Sequence, residues 1–455
     1  MKLKNIIICC LFGLLIITQA SAQKEETVFL SLHQACRLAV DSNLLVKNAQ
    51  LETVKTKYQA MESRSRFYPQ LEGYSDFNYY YKIPKMVMPG EFFGGTSDIA
   101  IEMGTKYDWS SGFKASLTLF NLSYLNSLKV TNLANKISTL SLLQIKEEIV
   151  YQLSQVYFLC ISTKYQEFLL TKNQQNTERL LNILKAQKDN GLARKIDCSK
   201  VLVARNILQT VIDNISQLYK KQIRLLKYLT GISTWKVIEL TDTFSVELPL
   251  DSIMVLNHFN ENVQPDFAAL TELKVMDVQI EKTVLSKKGV LHSYYPTLSA
   301  FGTFFFQGQQ DKLNFFDGGN DRFFKVGYLA LNLRIPIFDG FEKHASFLQY
   351  EVELQQLKNS RKNTLENFSK EYGDAVVQYK NSIQTLERQK ENTRIAEEEY
   401  EIDLAGYGQQ TILFSELMLS ENALREARYS LIGSWLQFKN AELELKKLRG
   451  TLLQF

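Results

Sequence analysis

Four histidines are the side chains of this sequence best suited to binding a metal or transferring a proton near neutral pH. They are His33, His258, His292 and His344, and their positions lack the H-E-x-x-H order or any other paired spacing of metal ligands. The sequence also lacks a phosphate-binding G-x-x-x-x-G-K-[ST] loop and a nucleophile elbow. We therefore expect no catalytic residue, no cofactor and no metal site, and predict that the protein is not an enzyme.

The composition indicates a folded protein of ordinary charge. Of the 455 residues, 45% are hydrophobic and 12% aromatic, which is enough for a core and excludes a wholly disordered chain. The formal net charge is +4, and two of the positive charges, Lys2 and Lys4, belong to a segment that we expect to be removed. The remaining chain is close to neutral, so we predict no nucleic-acid partner.

Residues 1–22 have the order of a secretory signal peptide. Lys2 and Lys4 precede an apolar run from Ile6 to Ile17, and Ala20-Ser21-Ala22 provides a small-residue cleavage site. After residue 22 no apolar stretch approaches the roughly 18 to 20 residues of a membrane-spanning helix. The sequence therefore predicts an exported protein that enters a bilayer, if at all, as β-strands.

Internal repetition divides the chain into two similar parts. Three short motifs recur in the same order, and the interval from Phe120 to Gly231 is 111 residues, against 112 from Phe338 to Gly450. The interval from proline to phenylalanine differs more, with 51 residues after Pro69 and 42 after Pro296, as expected for a variable loop. The motif pairs are Phe67-Tyr68-Pro69-Gln70-Leu71 with Tyr294-Tyr295-Pro296-Thr297-Leu298, Leu117-Thr118-Leu119-Phe120-Asn121 with Ile335-Pro336-Ile337-Phe338-Asp339, and Lys227-Tyr228-Leu229-Thr230-Gly231 with Lys446-Lys447-Leu448-Arg449-Gly450.

The part of constant length has the pattern of long helices. From Ile137 to Asn190 there is no proline or glycine, and a second run, from about Glu342 to Leu404, contains only Gly373. Within the first run, apolar residues recur every three or four positions, which is typical of a packed helix seam. These positions are Ile145, Ile149, Leu153, Val156 and Cys160. We predict two hairpins of long, coiled-coil-like helices packed side by side.

The part of variable length alternates like β-strands. Apolar residues share one face, while residues such as Glu72, Lys114 and Asn332 occupy the other. Strands of about 10 residues with this pattern suit a lipid-facing barrel with a polar lumen, and a half-buried sheet in a soluble domain gives the same alternation. The predicted lipid-facing residues include Leu71, Phe77, Leu117, Leu331 and Leu333.

Four strands are too few to close a membrane barrel, because the smallest such barrels have about eight. An open edge in lipid leaves backbone groups unpaired, at a cost of several kcal/mol each. If the strands enter a membrane, several copies of the chain must therefore join their sheets.

The ordered, duplicated set of motifs resembles the TolC-type outer membrane efflux proteins over nearly all of the chain after residue 22. The resemblance implies a mainly α fold with a membrane β-barrel. Each chain would contribute four strands to a trimeric 12-stranded barrel in the outer membrane of a Gram-negative bacterium, and long helical hairpins would form an α-barrel in the periplasm. It also implies the following division: 1–22 signal peptide, 23–231 first repeat of helix, strand pair and helical hairpin, 232–263 equatorial segment, 264–450 second repeat, and 451–455 C-terminal tail.

The two hairpin turns carry the predicted functional residues. Gly191 and Leu192, with Asp197 six residues after the glycine, are similar to the tip motif through which the family binds a periplasmic adaptor protein, and Tyr407 lies in the corresponding second turn. An ordinary helix-turn-helix explains the same residues without a partner. Glu416 falls where the family has the first aspartate of a periplasmic gate, and Leu419 replaces the second, so a double acidic ring is not expected. The acidic run from Glu397 to Glu399 is interpreted as a solvated helix face.

The resemblance implies a passive exit duct for small toxic compounds. Its partners would be two further copies of the chain, an adaptor, an inner-membrane transporter and outer membrane lipid. The outer membrane component of a type I protein secretion system has the same fold and is an alternative. A periplasmic adaptor is an alternative of another class, although an adaptor normally has one hairpin flanked by compact β-domains.

Overall fold

The computed structural model of the protein describes residues 27–89, 91, 94, 96–191, 194–247, 265–313, 315, 323–409 and 411–454. The predicted signal peptide, Leu192 and the second half of the predicted equatorial segment therefore lie outside the described residues. The chain forms two compact units, each assembled from separate stretches of sequence. One comprises the described residues within 1–51, 140–274 and 362–455, and the other comprises those within 52–139 and 275–361.

The fold is mainly α, with long helices and few strands, as predicted. In chain order the elements are β1 (Thr27–Leu30), α1 (Leu32–Ser42), α2 (Leu44–Ser65), β2 (Gln70–Tyr79), β3 (Lys85–Met88), β4 (Ile99–Glu102), β5 (Tyr107–Phe120), α3 (Leu122–Asp189), α4 (Lys195–Thr230), β6 (Val237–Leu240), α5 (Thr271–His292), β7 (Thr297–Gln310), β8 (Phe323–Arg334), α6 (Glu342–Gly408) and α7 (Phe414–Leu448).

The two long helices predicted from the absence of breakers are confirmed. Helix α3 has 68 residues and α6 has 67, and α6 continues through Gly373. In the predicted seam of α3, the side chains of Ile149, Leu153 and Cys160 are buried. Gly231 ends α4 with a positive φ of 70°, a conformation that glycine adopts without strain.

The second unit contains an antiparallel sheet in the order β2-β5-β7-β8. Side-chain contacts link the helical stretches of this unit in the same order as the strands to which these helices connect. Ser63 of α2 contacts Thr131 of α3 at 3.2 Å between hydroxyl oxygens, and Asn126 Nδ2 of α3 donates to the carbonyl of Leu285 in α5 at 2.7 Å. Arg361 of α6 pairs with Asp277 of α5. The helices are thus ordered α2-α3-α5-α6, and α2 and α6 are the outer pair.

The first unit contains a parallel pair that the sequence did not reveal, β1 with β6. Leu30 and Leu240 are partners in this pair, and both side chains are buried. The buried Tyr157 hydroxyl lies 2.9 Å from the carbonyl oxygen of Leu30 and 2.8 Å from Asp242 Oδ2. These contacts join β1, and the residues that follow β6, to α3.

The sheet also differs in detail from the prediction. Strands β5 and β7 have 14 residues each, longer than the expected length of about 10. The connection between β2 and β5, within the interval predicted to contain a variable loop, contains the antiparallel pair β3 and β4. Paired strands satisfy backbone hydrogen bonds that a plain loop would leave to water.

Candidate functional site

All five residues predicted to face lipid lie on one face of the four-stranded sheet. Leu71 is in a row of Cα partners with Ala115, Gly302 and Leu329, and Leu117 is in the next row with Ala300 and Leu331. Leu333 is two positions after Leu331 in β8, and Phe77 is six positions after Leu71 in β2. Because side chains alternate along a strand, these even separations place both residues on the same face. Of the five, Leu71, Phe77, Leu331 and Leu333 are exposed, and Leu117 is half-buried.

The end of this face nearest the strand-connecting loops is aromatic. Phe77, Trp109 and Phe323 belong to one row of the sheet, and the Trp109 and Phe323 rings have centroids 5.8 Å apart. The adjacent pair Tyr79 and Tyr107 has ring centroids 5.1 Å apart. Tyrosine and tryptophan rings with one polar atom favour the boundary between hydrocarbon and water.

Polar side chains dominate the opposite face, although Phe301, Phe305 and Tyr328 share it. Lys114 lies opposite Glu72 across the first strand pair. The charged or amide side chains on this face include Glu72, Asp76, Lys114, Gln307, Asn332 and Arg334. The two faces of the sheet thus differ in polarity, as the sequence predicted.

The first hairpin turn joins α3 to α4. Gly191 has a φ of 74°, so the chain leaves α3 in the left-handed conformation that glycine favours. Asp197 is the third residue of α4 and its side chain is buried, accepting hydrogen bonds from Arg194 Nε at 2.9 Å and Nη2 at 3.2 Å. The carboxylate therefore fastens the guanidinium to the first turn of the helix. Leu192 lies outside the described residues.

The second hairpin turn joins α6 to α7. The Thr411 backbone N–H donates to the Gly406 carbonyl at 2.9 Å, which closes the turn. Glu416 accepts a hydrogen bond from the backbone N–H of Leu413 at 3.2 Å, a helix-start interaction that sequence reasoning missed. Glu416 and Leu419 are both exposed, and a separation of three residues places them on one side of α7.

An apolar cluster joins the ends of the two hairpins. Its buried members are Leu180, Leu181 and Leu184 of α3, Val201 of α4 and Leu417 of α7. Tyr407 packs against this cluster, half-buried, and its ring centroid is 6.0 Å from that of Phe414. Burial, with the nearby charge of Asp197, raises the pKa of Tyr407. The structure thus brings Tyr407 and Asp197 close together.

Farther from the turns, polar side chains of three helices line a cavity of about 650 Å³. Arg428 of α7 donates to Glu397 Oε1 of α6 at 2.7 Å and lies 3.4 Å from the side-chain oxygen of Asn173 in α3. Glu397 therefore has a specific partner, while its side chain stays exposed, as expected for a solvated helix face. Burial raises the pKa of the neighbouring Glu421, and an attractive charge from Arg425 opposes this shift.

Within the part of the chain that the structure describes, no helix combines the length and the apolar character needed to cross a membrane. Among the same residues, no group of three or more histidine, cysteine, aspartate or glutamate side chains is placed to hold a metal ion.

The fold resembles solved outer membrane proteins over nearly its whole length. The chain superposes on CusC, a protein that forms a transmembrane channel, with a TM-score of 0.72, 14% identity and coverage of 94% of this chain and 95% of that one. For the outer membrane protein VceC of Vibrio cholerae the TM-score is 0.71, at 12% identity and 92% and 96% coverage. For the CmeC outer membrane channel of Campylobacter jejuni it is 0.70, at 15% identity and 95% and 90% coverage.

No protein-family model matches the sequence, and no curated protein matches it significantly. The structural likenesses therefore establish the fold, which is shared with the outer membrane protein VceC and the outer membrane channel CmeC. The TolC-type fold predicted from the duplicated motifs is confirmed.

Proposed function

We propose that the protein is the outer membrane channel of a tripartite efflux system. In this role it is a passive exit duct for small toxic compounds that an inner-membrane pump expels. The observation that carries the proposal is the four-stranded sheet, in which one face is apolar and exposed and the outer strands β2 and β8 each have one partner within the sheet. The fold shared with outer membrane channels supports the same conclusion.

Assembly follows from the two outer strands. In a membrane, unpaired backbone groups cost several kcal/mol each, which favours pairing β8 of one copy with β2 of the next. Neighbouring strands of the sheet are antiparallel, so β2 and β8 run in opposite directions and their pairing continues the alternation. Three copies then give a homotrimer with twelve strands, and the helical hairpins extend into the periplasm.

The hairpin ends are the proposed contact with a periplasmic adaptor protein. In this arrangement Gly191 shapes the first turn and Leu192 provides an apolar contact. The buried Asp197 positions Arg194, whose side chain is largely exposed, rather than meeting the partner itself. Tyr407 supports the turns from within the apolar cluster.

The exposed pair Glu416 and Leu419 is the proposed periplasmic gate. Three copies of an exposed carboxylate around a narrow mouth would concentrate negative potential and favour cations. Leu419, one turn farther along α7, would add an apolar ring to the same constriction. Energy for transport would come from the inner-membrane partner.

Membrane fractionation followed by planar-bilayer recording tests the proposed function. We expect the signal-cleaved protein to stay in the outer membrane after a carbonate wash, because a closed barrel is embedded in lipid. After purification in detergent it should produce discrete conductance steps. Extraction by carbonate without conductance would instead support the periplasmic adaptor alternative. Co-purification with a transporter for unfolded polypeptides would support the protein secretion alternative.

A further inference from the structure

Four aromatic side chains share the face of the sheet that is opposite to the predicted lipid face. They are Tyr74 of β2, Phe301 and Phe305 of β7, and Tyr328 of β8. Each lies an odd number of positions from the lipid-facing residues of its own strand, so it belongs to the other face. In a barrel with lipid outside, that face lines a polar lumen. We call these four residues the lumen aromatic patch, and contact with lipid does not explain them.

Gly112 allows two of the rings to meet across a strand. It is the Cα partner of both Tyr74 and Phe305, and it lies between them in one row of the sheet. The two ring centroids are 6.3 Å apart. A Cβ on Gly112 would come within 2.3 Å of the Phe305 Cβ, so a larger residue would displace the Phe305 side chain. The glycine therefore lets the two rings close over β5.

Phe301 and Tyr328 form a second pair, on the neighbouring strands β7 and β8. Their ring centroids are 6.4 Å apart and their planes are inclined at 80°, which is the edge-to-face arrangement. The Tyr328 side chain is 51% exposed, and the other three members of the patch are half-buried. The patch thus presents ring surface to the lumen rather than filling a core.

Two carboxylates lie beside the patch, on the side of the strand-connecting loops. Asp76 is two positions beyond Tyr74 and therefore on the same face. Asp108 accepts hydrogen bonds from Gln307 Nε2 at 2.9 Å and from Gln309 Nε2 at 3.2 Å. Amide groups are neutral donors, so they orient this carboxylate and leave its negative charge in place.

The positive residues that the four strands place on this face are Lys114 and Arg334. Lys114 is the Cα partner of Glu72, which has the opposite charge. Arg334 is six positions from Tyr328, roughly 20 Å along the strand toward α6. Within the four strands, the charge next to the loop side of the patch is therefore negative.

We propose that the lumen aromatic patch is a binding site for aromatic organic cations that pass through the channel. The face of an aromatic ring attracts a cation within about 6 Å of the ring centre, and a flat aromatic group stacks on such a ring. Asp76 and Asp108 attract the same positive charge. The inference rests on the proposed function, under which this face lines an exit duct. It adds a chemical class of cargo and the residues that recognise it.

A trimer would contain three such patches around one lumen. A channel conducts a bound species when binding is favourable enough for entry and weak enough for release, and several equivalent sites satisfy both conditions. Contacts between exposed rings and cations are individually weak. The patches would therefore concentrate this cargo in the lumen without retaining it.

Ion-current recording from single trimers in a planar bilayer tests the site with three probe ions. Propidium is an aromatic dication, hexamethonium is an aliphatic dication, and naphthalenedisulfonate is an aromatic dianion. Each is added on the side of the strand-connecting loops. Propidium alone combines aromatic rings with positive charge, so we expect it to interrupt the current at concentrations at least about fivefold lower than the other two require.

Substitution of the rings shows whether they carry the effect. Tyr328→Leu combined with Phe301→Leu keeps both positions apolar and removes two rings per copy, so propidium should act at least about fivefold more weakly. Tyr328→Phe keeps the ring and should stay within about twofold of the wild type. The matched control is Phe304→Leu, the same change on the opposite face of β7 at a side chain 48% exposed, which should leave the effect of propidium unchanged.

Substitution of a carboxylate tests the role of charge. Asp76→Asn should weaken the effect of propidium and leave that of naphthalenedisulfonate no weaker than in the wild type, because the variant removes an attraction for cations alone. Equal weakening of both probes, or no change for propidium, would overturn the role assigned to Asp76.

The outcomes separate this inference from a structural role and from the proposed function. Aromatic pairs across strands also stabilise sheets, so thermal unfolding and trimer yield are measured for every variant. Loss of the propidium effect in leucine variants that assemble and conduct normally supports the site. Tyr328→Leu alone, at an exposed position, gives the same test if the double variant assembles poorly.

Two results would overturn the site while leaving the proposed function intact. One is an equal effect of hexamethonium and propidium on the wild type, and the other is an undiminished effect of propidium on the leucine variants. A wild-type protein that neither stays in the membrane nor conducts would overturn both the site and the proposed function.

Discussion

Leucine side chains are exposed on the four-stranded sheet and buried at the hairpin ends. On the sheet the Leu329 side chain is 91% exposed, whereas at the hairpin ends the Leu417 side chain is 1% exposed and packs with leucines of α3. The leucines at the hairpin ends find their partners within one chain, and those on the sheet do not. The apolar face of the sheet must therefore obtain its stabilisation from outside the chain, which under the proposed function is membrane lipid.

Shortening a leucine at the hairpin ends is expected to have the largest effect on stability. Leu417→Ala should lower the free energy of unfolding by about 2 to 5 kcal/mol, because it removes a buried side chain and leaves a cavity. Leu419→Ala, two residues along the same helix at a position 71% exposed, should change it by less than about 0.5 kcal/mol. Urea unfolding followed by helical circular dichroism measures both. Equal effects would show that the cluster does not hold the hairpin ends together.

A charge on the sheet tests whether its apolar face meets lipid. Leu329→Arg, near the middle of β8, should cost about 2 to 4 kcal/mol and reduce barrel assembly, and Leu333→Arg, near the end of the strand, should cost about 0 to 1 kcal/mol. Asn332→Arg, on the opposite face, should assemble normally. Trimer yield after detergent extraction measures all three. Normal assembly of Leu329→Arg, or an equal defect in Asn332→Arg, would contradict the assignment of the lipid face.

The polar cavity between the helices predicts a smaller, pH-dependent effect. Burial raises the pKa of Glu421, so the folded protein holds this proton more tightly than the unfolded chain. Stability should therefore fall as the pH rises from the ordinary range of glutamate through the raised pKa. Glu421→Gln should be the more stable form at pH 7, and its advantage should disappear in acid. Glu399→Gln, at an exposed position, is the control, and a pH-independent difference for Glu421→Gln would contradict the burial effect.

Substitution of Glu416 should have a small effect on stability and a separate effect on conductance. Glu416→Ala removes the hydrogen bond to the Leu413 backbone N–H, at a cost of about 1 kcal/mol. If three carboxylates close the mouth, single-channel conductance should rise in Glu416→Ala and in Glu416→Gln, although glutamine can keep the hydrogen bond. A rise in the alanine variant alone would assign the effect to the helix start, and no change in either would remove Glu416 from the gate.

Local patterns predicted the elements, and long-range contacts did not follow from them. The alternation of Leu329, Leu331 and Leu333 identified a strand face because the period of two is visible in consecutive residues. The pairing of β1 with β6 joins two four-residue segments far apart in sequence, which carry no comparable signal. The hydrogen bond from Arg428 to Glu397 could not be predicted from the sequence either, because each charged residue alone is typical of a solvated helix face.

The predicted site residues show the same limit. The sequence placed Gly191 and Asp197 at a hairpin turn, and Gly191 has the positive φ expected there. It did not reveal that Asp197 is bound by Arg194 or that Tyr407 packs into the cluster. These contacts depend on how two hairpins meet, and a single helical pattern does not contain that information. The adaptor and gate roles of these residues remain predictions.

The molecular mass of the signal-cleaved protein, measured by light scattering with and without detergent, tests the central claim most directly. We predict a trimer that requires detergent to remain in solution, because incomplete sheets from separate copies close into one lipid-facing wall. A stable monomer in plain aqueous buffer would contradict the account.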